Sequence, residues 1–268
     1  MEFRTVVSLP KPTFQIEPLD PILFVGSCFA ENIGRRFEEE RFPVVVNPYG
    51  VMYNPVSILH TVQRCDAAPR VAFLTLGTNH VYRLKETGEI VDNCQKRSQS
   101  LFQEEKLTIN QCVDALSQAV EYLRLRNPEM HVVFTVSPIR YAKYGFHGSQ
   151  LSKATLLLAV EQLVARYAAS SVVSYFPAYE IVLDELRDYR FYQPDMLHPS
   201  QQTVEYIWQQ IVETYFSDRA KQFLEEWRPI KEALGHRPFH PESDAYQRFL
   251  KETKMKEESL LLKYNNKV

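Results

Sequence analysis

Ser27 stands where a short apolar run meets a helical pattern. Pro21-Ile22-Leu23-Phe24-Val25 leads into Gly26-Ser27-Cys28, and Phe29, Ile33 and Phe37 then recur at spacing four. A hydroxyl between the carboxyl end of a strand and the amino end of a helix is suited to acyl chemistry. Backbone N–H groups there lack helical partners, and the helix dipole favours an oxyanion beside the nucleophile. Gly26 would let the chain turn sharply. Ser27 could equally be a plain N-cap. A base would set it apart, and one is offered far downstream in Asp195-Met196-Leu197-His198, just ahead of a helix opening at Ser200. With that spacing His198 could accept the proton of Ser27 while Asp195 fixes the imidazole tautomer.

Other reactive residues compete with this reading. Cys28 lies beside Ser27 at a helix start, which lowers a thiol's pKa, but as nucleophile it would need the same base. Ser137 follows an apolar strand, yet Pro138 pushes it away from the backbone angles of a strand-to-helix elbow. Arg140 in the same loop is a candidate for binding a carboxylate or phosphate. His236 and His240 share spacing four, but Pro238 and Pro241 rule out a helical metal pair. No metal is expected, and no Walker loop or GxGxxG run calls for a nucleotide or other cofactor.

The run GSCFAENIG resembles the name-giving motif of the GSCFA-domain family, a branch of the SGNH (GDSL-like) hydrolases. NPYGVMYNP, TLGT, TVSPIRY, SKA, YFPAYE, DELRDYRFY and DMLHPS follow in the order of that family, over about residues 1–216. The resemblance implies a flavodoxin-like α/β/α sandwich, with Ser27 as nucleophile and Asp195 and His198 completing a triad. The Ser27 N–H would hold the oxyanion, and the resemblance assigns Gly50 to the glycine whose N–H joins it there. Gly77 and Asn79 fit the family's G-x-N-D block, with His80 in place of Asp. Asn79 and Asn93 are therefore alternative amide donors to the oxyanion, while His80 and Arg140 are expected to bind substrate. Gln95 departs from the Asn-Cys-His-Lys that the family commonly carries.

The elements that must position these residues can be read from periodicity. Buried strands are expected at 22–25, 42–46, 71–76, 131–136 and 172–176, and a Gly-turn hairpin at 81–84 and 89–91. Helices are expected at about 29–40, 54–65, 108–126, 150–168 and 200–216, with 145–148 a flexible loop and 184–190 a salt-bridged helix face. Strands alternating with helices indicate an α/β fold: a three-layer sandwich around a mainly parallel five-stranded sheet. Residues 1–216 would form this hydrolase-like domain. Residues 217–268 would be a helical extension that wraps the domain, joins copies into a homo-oligomer, or frays.

Across 268 residues, 45% hydrophobic and 24% charged, the chain carries a formal charge of -2. No basic field recommends nucleic acid or an anionic membrane. No apolar run approaches the roughly 20 residues of a membrane span, and no leader is evident. A cytoplasmic protein with free thiols at Cys28, Cys65, Cys94 and Cys112 is expected. The function these readings favour is a serine esterase acting on a small-molecule or glycan ester, with O-acetyl groups as one acyl class. The alternatives are a catalytically silent glycan- or acyl-binding scaffold on the same fold, and an acyltransferase using the same triad.

Overall fold

Strand alternation decides which helix covers which face of the central sheet. In the computed structural model, which describes residues 4–92 and 97–265, the chain begins with β1 (Ile22–Gly26), α1 (Cys28–Glu39), β2 (Val44–Val46), α2 (Pro55–Arg64) and β3 (Val71–Leu76). A side excursion follows: β4 (His80–Leu84), β5 (Ile90–Val91) and β6 (Phe102–Lys106). The layered pattern resumes with α3 (Ile109–Arg126), β7 (His131–Val136), α4 (Gly145–Arg166), β8 (Val173–Tyr175), α5 (Ala178–Glu180) and α6 (Gln201–Tyr215). Two further helices, α7 (Asp218–Gly235) and α8 (Asp244–Asn265), end the described chain.

The central sheet is parallel throughout, in the order β2-β1-β3-β7-β8. Because successive side chains alternate across a strand, Leu23, Val25, Leu74 and Phe134 pack beneath α2, α3 and α4. Ile22, Phe24, Phe73 and Val133 face α1, α6 and α7. This is the expected three-layer α/β/α sandwich around five parallel strands. Strand order reverses between β1 and β3, and open α/β sheets form their ligand crevice at the carboxyl ends of such strands.

Helix starts are fixed locally. Asn54 and Thr108 form capping boxes with Ser57 and Gln111, and Ser200 and Ser217 cap α6 and α7. The hairpin of β4 and β5 is present, but β6 pairs along the other edge of β4 to make a three-stranded antiparallel sheet. Phe102-Gln103-Glu104-Glu105-Lys106 is mostly polar and exposed, so its strand character comes from pairing with β4.

Two local expectations are corrected. Residues 145–148 form the first turn of α4, entered through Gly145 at φ +68, a conformation natural to glycine. Residues 184–190 are not one helix: a π-helical turn over Ile181–Leu186 ends at Arg187 with φ 23, and a 3₁₀ turn spans Tyr189–Phe191. Their ion pairs, Arg187–Asp184 at 4.0 Å and Arg190–Asp188 at 3.9 Å, are long and exposed.

The C-terminal helices pack on the same core as α1 and α6. Trp227 is 1% exposed and donates from Nε1 to the Glu39 carbonyl at 3.0 Å. Phe223, Leu260 and Tyr264 join the same core as Phe42 and Phe216. Burial of such side chains stabilises by about 1.5–3 kcal/mol each. Among the described residues no helix is long and apolar enough to cross a membrane.

Candidate active site

Ser27 caps α1. Its Oγ accepts from the Phe29 N–H at 3.3 Å, and its own N–H reaches the Thr75 carbonyl at 3.3 Å. That approach requires Gly26: at φ +154, a Cβ there would come within 2.3 Å of the Thr75 oxygen. The Gly26 N–H is taken by Asn47 Oδ1 at 2.9 Å. The nucleophile candidate is thereby seated at the end of β1, against the end of β3, and is 5% exposed.

Ser27 Oγ donates to Ser137 Oγ at 3.0 Å, and Ser137 Oγ also accepts from the Ile139 N–H at 3.3 Å. Ser137 follows directly on β7. Beneath both serines, Lys153 reaches up from α4. Its Nζ donates to the Gly77 carbonyl at 2.7 Å and to the Ser137 carbonyl at 2.8 Å, joining the loops after β3 and β7. Lys153 is 2% exposed, and burial pulls its ammonium down to about 7. Ser152, one residue earlier, bonds Thr78 Oγ1 and receives the Asn79 N–H. The SKA run therefore braces the strand ends. Its signal in the sequence was a lysine on an otherwise apolar helix face.

Asp195 and His198 occupy a solvent-facing loop. Asp195 Oδ1 accepts from the Leu197 and His198 N–H groups at 2.9 and 3.0 Å, while Oδ2 lies 2.6 Å from His198 Nδ1. The backbone N–H of His198, then that of Leu197, and then the His198 ring hold the Asp195 carboxyl down to about 2. Met196 takes φ +58 to close the turn. The loop is fastened to the segment after β7: the Arg140 N–H donates to the Leu197 carbonyl at 3.0 Å and Arg140 Nη1 to the Met196 carbonyl at 3.0 Å. Ser27 and the Asp195–His198 loop thus attach to the same four-residue stretch, one at Ser137 and the other at Arg140.

The other expected site residues make contacts of their own. The Gly50 N–H donates to the Asn47 carbonyl at 2.8 Å within its own turn. Asn79 is buried, with Nδ2 on the Leu107 carbonyl at 2.8 Å and Oδ1 without a partner among the described residues. Asn93 lies outside the described residues. His80 stacks on Tyr144 at 3.6 Å and pairs with Glu104 at 3.0 Å, and burial lowers its pKa. Arg140 lines a cavity of about 290 Å³. The Cys28 thiol is raised by burial, and the charges of Glu31 and Asp195 add to this, outweighing the helix-end N–H groups expected to activate it.

A parallel sheet between helical layers thus carries Ser27 at its switch point. Residues 21–70 and 66–211 match the GSCFA family, and residues 227–267 match the GSCFA domain protein, C-terminal domain. The chain belongs to the GSCFA family. Among solved structures, one titled a "putative acylhydrolase" from Bacteroides fragilis superposes with a TM-score of 0.50 at 12% identity, over 81% of this chain and 92% of that one. A GDSL-like lipase from Bacteroides thetaiotaomicron gives 0.47 at 13% identity, covering 81% and 92%. A carbohydrate esterase family 3 protein from Talaromyces cellulolyticus gives 0.41 at 12%, covering 77% and 98%. At 12% identity the acylhydrolase shows a shared fold and nothing finer. No curated protein matches the chain.

Proposed function

We propose that this protein is a serine ester hydrolase in which Ser27 attacks the acyl carbon, His198 takes its proton and Asp195 orients His198. The observation that carries this reading is the 2.6 Å contact between His198 Nδ1 and Asp195 Oδ2 on a loop tied to Arg140, three residues from the Ser137 that bonds Ser27. An ionised Asp195 keeps the proton on Nδ1, leaving Nε2 as the free acceptor. In the resting arrangement Ser27 Oγ is bonded to Ser137, so the reaction begins with its rotation towards His198. Attack passes the hydroxyl proton to Nε2. Collapse of the tetrahedral intermediate returns that proton to the departing alkoxide, leaving Ser27 acylated. Water, activated by the same imidazole, then releases the acid. His198 is 38% exposed at its side chain, which gives water access for this second step and favours hydrolysis over acyl transfer.

The α1 amino end is the fixed source of positive potential for the oxyanion. Gly50 and the Asn79 amide would reach it only by leaving Asn47 and Leu107, and Asn93 is the remaining side-chain candidate. The commitment of these donors favours the second reading, a binding protein that keeps the fold without turnover. A fluorophosphonate probe separates the two: the hydrolase is labelled at Ser27, the label is absent from Ser27→Ala, and short-chain or sugar acetates are consumed. A wild-type protein that is neither labelled nor active is the silent binder. Acetate appearing on an added sugar acceptor instead of in solution would identify the transferase.

A further inference from the structure

The cavity beside the Asp195–His198 loop carries an imbalance of charge. Arg140, Lys153 and Arg187 line it, against the single carboxylate of Asp188. Arg187 is turned largely to solvent, and its one ion pair among the described residues is the 4.0 Å contact with Asp184. Among the described residues, neither Arg140 nor Lys153 has a carboxylate within ion-pair distance. For Arg140 the usual fate of a surface arginine, pairing with a neighbouring acid, is therefore unmet. For Lys153 the imbalance is sharper, because a fully buried ammonium ordinarily has a counter-charge. Its two carbonyl partners use two of its three N–H donors.

The walls add a shape requirement. Phe146 lies under the Arg140 guanidinium, with 4.1 Å from its carbon to the ring centroid, and Tyr192 flanks it at 5.7 Å. The Tyr179 ring lies 5.9 Å from Lys153 Nζ. Aromatic side chains hold the guanidinium flat and offer faces to a ring. A flat arginine presents paired donors to a carboxylate or phosphate. At about 290 Å³, near the lower end of small-ligand pockets, the cavity suits a single ring with one charged substituent.

We infer that this cavity is a substrate subsite for an anionic group, a carboxylate or phosphate borne on a single ring, and that the natural ester is negatively charged. The assignment rests on the Ser27 hydrolase reading. Arg140 joins the two sites, because the side chain that would hold the anion also donates to the Met196 carbonyl, two residues from His198. The anion would neutralise Arg140 and Lys153 while its ring stacked on the aromatic wall, placing the ester towards Ser27.

The test compares 4-acetoxybenzoate with its neutral methyl ester, and adds 4-acetoxyphenyl phosphate as the phosphate arm. The ratio of kcat/KM, anionic over neutral, is read within each protein, so a general loss of activity in a variant cancels. Wild type should prefer an anionic ester by about tenfold or more. Arg140→Met should bring the ratio to about one, and Arg187→Gln should lower it partway. The better of the carboxylate and phosphate arms identifies the anion. Binding of benzoate and phenyl phosphate, measured calorimetrically on wild type and Arg140→Met, tests the cavity apart from turnover. Binding lost in Arg140→Met supports the subsite even if no ester is consumed, which would sink only the hydrolase reading. Equal turnover of the charged and neutral esters, or absence of anion binding, overturns the subsite, as does a preference or binding that survives Arg140→Met.

Discussion

The two halves of the candidate triad are held by opposite means. Ser27 is 5% exposed and wedged between strand ends, with Ser137, Thr75 and the Lys153 brace around it. Asp195 and His198 are 43% and 38% exposed at their side chains and are set by short-range hydrogen bonds within one turn. Ser27 therefore depends on the whole core, whereas His198 depends on a local turn closed by Gln193 and on two bonds from Arg140. Substitutions on the two sides should separate folding from chemistry.

The largest effect tests the buried half. Ser27→Ala should abolish phosphonate labelling and lower turnover by at least about a thousandfold, while Cys28→Ala keeps most of both. Ester kinetics and mass analysis of the labelled protein measure this, and full activity in Ser27→Ala would remove the mechanism. On the exposed half, Asp195→Asn should lower kcat by roughly a hundredfold to ten-thousandfold, through the wrong tautomer of His198. An Asp195→Asn variant of normal activity would show that the 2.6 Å contact has no catalytic part.

Next in size is the brace. Burial depresses Lys153 in the fold to about 7 from an ordinary 10.5, and the groups facing it, Cys28 on α1 and the Tyr179 phenol, are both raised by burial and stay neutral near pH 7. Unfolding then takes up a proton between pH 7 and 10.5, so stability rises with pH across that window. The penalty of the buried charge is absent above 10.5 and fully present below about 7. Relative to Lys153→Met, wild type should therefore lose roughly 3–5 kcal/mol as pH falls from 10.5 to 7. Urea denaturation of both proteins at several pH values reads the difference, and a pH-independent gap would mean that Lys153 folds with an unperturbed charge.

The smallest effects sharpen the contrast. His198→Ala should leave stability within about 0.5 kcal/mol of wild type while removing acylation, because the loop is exposed and locally bonded. The Asp195 carboxyl, followed by carbon-detected NMR, should titrate near 2, and its part in stability should persist above 3.8 and fade as pH falls towards 2. A midpoint near 4 would mean that the turn around Asp195 is open in solution.

Much of the frame was legible because its signals are local. Val71-Ala72-Phe73-Leu74-Thr75-Leu76 is a continuous apolar run of the kind a strand buried on both faces needs, and it is β3 to the residue. Thr108 with Gln111 announces α3, and Gly-Ser after an apolar strand marks the α1 turn. Asp195 and His198 are three residues apart, so their contact is a property of one turn and was readable from spacing. The polar strand β6 was not readable, since its partner β4 supplies the only reason for it to extend.

The sequence by itself determined the layered α/β class, the strand that delivers Ser27 and the local Asp195–His198 pairing, because each depends on residues within a turn or a strand of one another. Tertiary structure alone decided where the donors and charges point. It turned Asn79 to Leu107, 28 residues on, and set Ser27 against Ser137, 110 residues on. It also sank Lys153 beneath two strand ends and left Arg140 without a carboxylate partner among the described residues. Those outcomes depend on which loops meet at a sheet edge, and that meeting is set by strand order and helix packing across the chain, which no short window of residues contains.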